Sequence, residues 1–281
     1  MNFSIKTYDS KEAQSILVYW TPERKAKATP TPTLDQDIKT ITEDHNLEDP
    51  FEVDINQYPY KCGGIIFYTK VTADGTEDFY GSAQFVAHCQ MILTVAHCII
   101  DSTTGEEYTN FLFTRGYRKE EEVVEGQDFV IDQVGTPEEF VGSEGHVRRS
   151  FDFAFCRTTE PFTDWMPLQI GIPYTNLQSI GYPGNFQDGE RMVAVNGTRG
   201  EIFSDLNLVQ MKNNPFREGA SGGAWIYNPS NELGNDKNIV VGLNAGGESD
   251  PIIQSPLFRQ ETIDLFNEVL DATWENPRRC N

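Results

Sequence analysis

From Tyr58 onward, apolar residues come in short runs cut by turn residues. Gly63–Tyr68 is one run, and the Asp74-Gly75 pair that follows it predicts a tight hairpin. Further runs lie at Phe85–Ala87, Met91–Val95, Asp128–Ile131, Phe153–Phe155, Gln178–Tyr182, Met192–Val195, Leu208–Met211, Ala224–Tyr227 and Ile239–Leu243. About ten short strands with Gly, Pro, Asn and Asp between them predict an all-β sandwich or barrels, not βαβ units. The pattern changes at the C-terminus. Between Glu261 and Thr273, Ile263, Phe266, Val269 and Leu270 recur at spacings of three and four, which predicts an amphipathic helix with one face on the body.

Residues 1–57 read differently. Ala26–Thr33 is a Pro/Thr linker expected to be extended, and an acidic, strand-poor stretch follows from Leu34 to Asp54. The expected organisation is an N-terminal arm or prosegment over 1–57 and a folded domain over 58–281.

Composition narrows the classes. A chain of 281 residues with 18 Phe, 11 Tyr and 4 Trp can bury a real core and is not disordered. A formal charge of −21 argues against nucleic acid and anionic membranes as partners. No apolar run is long enough for a transmembrane helix, and no ordinary signal peptide is visible. Five cysteines allow at most two internal bridges, too few for a disulfide scaffold.

The strongest chemical signal is Gly219-Ala220-Ser221-Gly222-Gly223. Glycines beside a serine let backbone N–H groups face the space next to its hydroxyl, as an oxyanion hole requires. The following Ala224–Tyr227 reads as a strand, which does not fit the strand-to-helix nucleophile elbow. A serine hydroxyl needs a general base. Of His45, His88, His97 and His146, only His97 ends a buried strand, Met91–Ala96. His88 precedes Cys89 in an expected turn, and His146 is expected in a solvated loop. Asp152, set among aromatics in Phe151–Phe155, is the candidate carboxylate to orient the base.

Together, Leu93–Cys98, Phe151–Phe155 and Glu218–Gly223, in that order, resemble the signature of trypsin-like serine peptidases of the chymotrypsin fold. The resemblance spans roughly Tyr58 to Leu270. Ile180–Pro183 and Val241–Gly247 are similar to the bacterial branch that includes the glutamyl endopeptidases, and Tyr19–Arg24 resembles the prosegment of its secreted members. The resemblance implies two six-stranded antiparallel barrels with a C-terminal helix, split near Glu160–Trp165, with the site in the cleft between them. It implies Ser221 as nucleophile, His97 as base then acid, Asp152 as orienting carboxylate, and Gly219 and Ser221 N–H as oxyanion donors. Phe216, Asn244, Gly246 and Gly247 are the expected substrate-binding residues. No cofactor and no metal is expected. The expected partners are protein or peptide substrates, and the expected state is a secreted monomer kept as a zymogen by residues 1–57.

Several positions depart from the family pattern. Ala220 replaces the Asp before the nucleophile, Ala224 a Pro, and Ala245 a Ser behind the triad. Asn244 stands where Glu-specific members have His, so Glu specificity is not implied. The usual cysteine partner of Cys98 is missing near Ser82, and Cys89 is the shifted candidate. The departures keep a second function open, a protease-fold binding protein without activity. A zinc site from His88, Cys89, His97 and Cys98 lacks the usual spacing. Arg118–Glu122 is expected to be a solvated loop, and Asn196-Gly197-Thr198 is a glycosylation acceptor string.

Overall fold

A computed structural model describes residues 1–34, 48–73, 75–121, 123–249, 251–271 and 280. Most of the acidic stretch after Leu34, and the expected helix end at Thr273, lie outside the described residues. In chain order the first elements are β1 (Phe3–Thr7), α1 (Ser10–Tyr19), α2 (Pro22–Lys27), β2 (Thr29–Pro30), β3 (Phe51–Glu52), β4 (Gly63–Thr72), β5 (Gly75–Phe85) and β6 (Met91–Thr94). Then come β7 (Thr109–Glu120), β8 (Val123–Pro137), α3 (Gly145–Ser150), β9 (Ala154–Thr158), β10 (Asn176–Gly181), β11 (Val193–Phe203) and β12 (Leu208–Lys212). The last are β13 (Ala224–Tyr227), β14 (Ile239–Leu243), β15 (Gly246–Ser249), β16 (Ile252–Pro256) and α4 (Gln260–Asp271).

The strands form two sheets. In the first, β4 pairs β5 and β7, β6 pairs β5 and β9, and β8 pairs β7 and β9, so six antiparallel strands close into a barrel. Closure removes the open edges that would otherwise invite pairing with other chains. Its interior is aromatic, with Phe85 edge-on to Phe113 and Phe129 at 5.3 and 5.1 Å. The second sheet runs β14-β13-β10-β11-β12-β16-β15, one strand more than the six expected, with β3 on β11. It curls into a half-barrel: the Leu243 N–H of β14 donates to Ser255 Oγ of β16 at 3.0 Å. Residues 159–175 cross from one sheet to the other, where the split was expected.

α4 lies on the first barrel, against β1, β8 and β9. Leu265 and Val269 are its fully buried residues, and Phe266 meets Phe155 edge-on at 5.5 Å. Residues 1–34 also pack on this barrel. β1 extends the sheet along β8, in register from Phe3↔Pro137 to Thr7↔Gln133. Trp20 is buried against Phe67 and donates its indole N–H to the Asn110 carbonyl at 2.6 Å. Thr21 caps α2 by accepting from the Arg24 N–H. Lys25, itself buried, reaches both oxygens of Asp128 at 2.6 and 2.7 Å. The Tyr19–Arg24 string therefore anchors the N-terminal segment.

Arg118–Glu120 is not a loop but the end of β7, Glu121 is in a turn, and Glu122 lies outside the described residues. Its charges cross to the second sheet: Arg191 bonds Glu120 at 2.8 Å and Glu52 at 2.9 Å, and Lys119 bonds Glu190. His146 is exposed on α3, a short helix rather than a loop.

Candidate active site

His97 sits in a 3₁₀ turn, Ala96–Cys98, directly after β6. β6 is wholly buried and paired on both sides, so the ring projects from a fixed strand end. Asp152 lies between α3 and β9 and is 0% exposed. Its two oxygens hold one residue: Oδ1 accepts the His97 backbone N–H at 3.0 Å, and Oδ2 faces His97 Nδ1 at 2.7 Å. A buried carboxylate is costly unless paired, and this clasp supplies the pairing. It also fixes the ring: with Nδ1–H turned to Asp152, the neutral imidazole has its lone pair on Nε2. Nε2 is buried and has no hydrogen-bond partner among the described residues.

Ser221 is in the turn between β12 and β13. Gly219 and Gly222 have φ of +85° and +90°. A Cβ at Gly222 would lie 2.2 Å from the Ser82 carbonyl, and one at Gly219 would lie 2.7 Å from the Tyr182 carbonyl, so only glycine fits. Two polar side chains of the first barrel, Ser82 and Gln84, hold this turn from across the boundary between the sheets, and a third, Thr94, holds the Ser82 backbone. Ser82 Oγ donates to the Gly219 carbonyl and accepts the Tyr182 N–H, both at 2.9 Å. Gln84 Nε2 donates to the Gly222 and Leu93 carbonyls at 3.0 Å. Thr94 Oγ1 donates to the Ser82 carbonyl at 2.9 Å, and the Ser82 N–H donates to the Ser221 carbonyl at 2.8 Å. The turn is thus docked beside β6, whose end carries His97.

Asn244 holds the turn from the second sheet. Its N–H donates to the Gly223 carbonyl, and its carbonyl accepts the Gly222 N–H, both at 2.9 Å. Its Oδ1 accepts from Trp225 Nε1, Ser179 and Asn214 at 2.8, 3.0 and 3.0 Å, and Nδ2 donates to the Ala220 carbonyl at 3.2 Å. Expected at the substrate pocket, this side chain is committed inside the sheet. Phe216 is likewise buried, edge-on to Phe186. Gly246 is buried on β15, whereas a Cβ at Gly247 would meet nothing within 4 Å. Ala245 is buried and brings no side-chain donor toward Asp152.

The cysteines differ from expectation. Cys89 does not pair with Cys98; it is bonded to Cys280. Cys98 is a free, buried thiol. The position facing it is Gly81, not Ser82: a Cβ there would lie 2.6 Å from Cys98 Sγ. Burial pushes the Cys98 and Cys156 thiols well up, and that of Cys62 up to about 12. The imagined zinc set does not assemble either. His97 is turned to Asp152, and Cys89, whose sulfur lies 3.9 Å from His88 Nδ1, has no thiolate to offer.

No family model and no curated protein matches the chain. Solved structures do. A thermostable serine protease, AL20, from an extremophilic microorganism aligns with a TM-score of 0.59 and 21% identity, over 75% of this chain and 98% of that one. A Glu endopeptidase in complex with MPD aligns at 0.61 and 17%, over 82% and 98%. An inactivated protease paralogue of the scabies mite aligns at 0.53 and 11%, over 77% and 94%. The chain has the chymotrypsin fold of trypsin-like serine proteases, and a glutamyl endopeptidase is among its structural neighbours.

Proposed function

We propose that this protein is a serine endopeptidase whose triad is His97, Asp152 and Ser221. The observation that carries the reading is the two-point clasp of Asp152 on His97, which leaves Nε2 as the ring's basic nitrogen. His97 Nε2 takes the Ser221 hydroxyl proton as Oγ attacks the substrate carbonyl carbon. The Gly219 and Ser221 N–H groups receive the developing oxyanion. His97 then returns the proton to the leaving amine, which departs as the acyl-enzyme forms. The same ring activates water to release the acyl group. Asp152 stabilises the imidazolium in both halves without taking its proton.

Casein turnover by purified protein after limited proteolysis of its N-terminal segment, with Ser221→Ala treated in the same way as the control, tests this. The substitution is expected to lower turnover on the order of 10⁶-fold; equal turnover by both forms would contradict the assignment. A second reading, a binding protein on an inactive protease fold, draws on the inactivated paralogue and on Ala245 behind Asp152. Folded protein that turns over nothing with its cleft open would favour it. Protein or peptide substrates, a monomeric state and an extracellular site of action complete the proposal. The last draws on the Cys89–Cys280 bond, of a kind that persists in oxidising compartments. Among the described residues no helix is long and apolar enough to cross a membrane.

A further inference from the structure

The segment Thr29–Leu34 crosses the site. It begins beside β5, in parallel register Thr29↔Phe79 and Pro30↔Tyr80. It ends at Leu34, which forms a parallel bridge with Gly246 at the start of β15. Between these ends Thr31 is 2% exposed, and every polar group it has is engaged. Its N–H and Oγ1 both donate to the Tyr80 carbonyl, at 2.8 and 2.7 Å, and Oγ1 lies 2.8 Å from the Tyr68 hydroxyl. Its carbonyl accepts the Gly219 N–H at 3.1 Å. That N–H is one of the two oxyanion donors of the proposed mechanism. With the segment in place Ser221 is 3% exposed and His97 6%.

We infer that Thr29–Leu34 is a built-in plug: a peptide of this chain seated in its own substrate cleft, with the Thr31 carbonyl held by an oxyanion-hole donor. The inference rests on the endopeptidase reading for its meaning, though not for its geometry. Its chemistry suits a releasable plug. Pro30 and Pro32 pre-extend the segment, which lowers the entropy lost on docking. They also remove two N–H donors, so the segment cannot pair along its length and is held mainly at Thr31. The tether adds to the hold: a segment anchored at Trp20 and Lys25 competes at an effective concentration on the order of millimolar. Activation then means displacing or cutting this stretch, and the ligand the cleft accepts is an extended peptide.

The test uses the full chain with residues 29–34 replaced by an equal length of Gly and Ser, and separately Thr31→Val, which keeps the shape and removes the hydrogen bonds of Oγ1 to Tyr80, Tyr68 and Cys98. Labelling by a fluorophosphonate is expected to be on the order of tenfold faster in both variants than in wild type. In a Ser221→Ala background, the synthetic peptide Ala-Thr-Pro-Thr-Pro-Thr-Leu is expected to bind the Gly/Ser form and not the parent. Labelling that proceeds at the same measurable rate in wild type and both folded variants would overturn the plug and leave the endopeptidase reading standing. Peptide binding to the opened form without any labelling would support the plug and overturn the endopeptidase reading. No peptide binding to either form would overturn the plug.

Discussion

Ser82→Ala removes one hydroxyl and unlatches the nucleophile turn. Ser82 is buried, and its Oγ serves two backbone groups on the far side of the cleft, the Gly219 carbonyl and the Tyr182 N–H. Alanine fits the space but satisfies neither. Leaving a buried polar group unpaired costs about 1–3 kcal/mol, so two such groups cost about 2–6 kcal/mol, less whatever relaxation recovers. At this chain length about 3 kcal/mol corresponds to a melting-temperature drop of roughly 6–12 °C. The functional effect runs through Gly219. Freed at its carbonyl, a glycine at φ +85° can rotate, and its N–H no longer points reliably at the oxyanion. Loss of one oxyanion donor costs on the order of 10²–10³ in kcat. The assay is thermal melting by circular dichroism alongside the fluorophosphonate labelling rate, both in the Gly/Ser-replaced form so that the plug does not mask the rate. A variant that melts within about 1 °C of its parent and labels at the parent's rate would refute the latch.

Other consequences follow from the same geometry. Thiol titration with an aromatic disulfide reagent should find three reactive thiols in denaturant and none in the native state, because Cys62, Cys98 and Cys156 are buried and Cys89 is bonded to Cys280; five in denaturant would refute the bridge. Gly81→Cys should form a disulfide with Cys98, since its Cβ would lie within bridging reach of that sulfur; an unchanged free-thiol count plus one would count against this placement. Asp101, just after the His97 turn, should confer acid-sensitive stability. Burial alone would push its carboxyl up, but the Lys70 ammonium and the Thr103 and Thr104 N–H groups hold it down at about 2, against an ordinary 3.8. A carboxyl lowered by folding stabilises the native state above its unfolded value and loses that contribution as pH falls from about 4 to about 2. Lys70→Met should flatten denaturation curves across that window, and an unchanged profile would contradict the assignment.

The sequence disclosed the parts of the molecule that repeat a simple rule. Apolar runs with turn residues between them marked most strands, and a three- and four-residue spacing marked α4, although the most buried of its apolar residues includes Leu265, which the spacing passed over. The residues framing the cleft were harder to see. Ser82, Gln84 and Thr94 are buried polar side chains, and they break the apolar pattern because Ser82 and Gln84 serve the Gly219 and Gly222 carbonyls of the second half, while Thr94 serves the Ser82 carbonyl beside them. Read along one strand they look like surface; their purpose exists only once two distant segments meet. The charged end of β7 misled for a related reason, since its partners Arg191, Glu190 and Glu52 are remote in sequence. Cys89–Cys280, separated by 191 residues, carries no local signal at all. Phe3-Ser4-Ile5-Lys6-Thr7 alternates as a strand should, and that signal was available.

The most direct measurement is the site of phosphonate attachment in the form with residues 29–34 replaced, read by mass spectrometry of peptides from the labelled protein. One adduct is expected, on Ser221, absent after His97→Ala and strongly reduced, by about 10⁴-fold in rate, after Asp152→Asn. An adduct elsewhere, or labelling of Ser221 that survives His97→Ala unchanged, would contradict it.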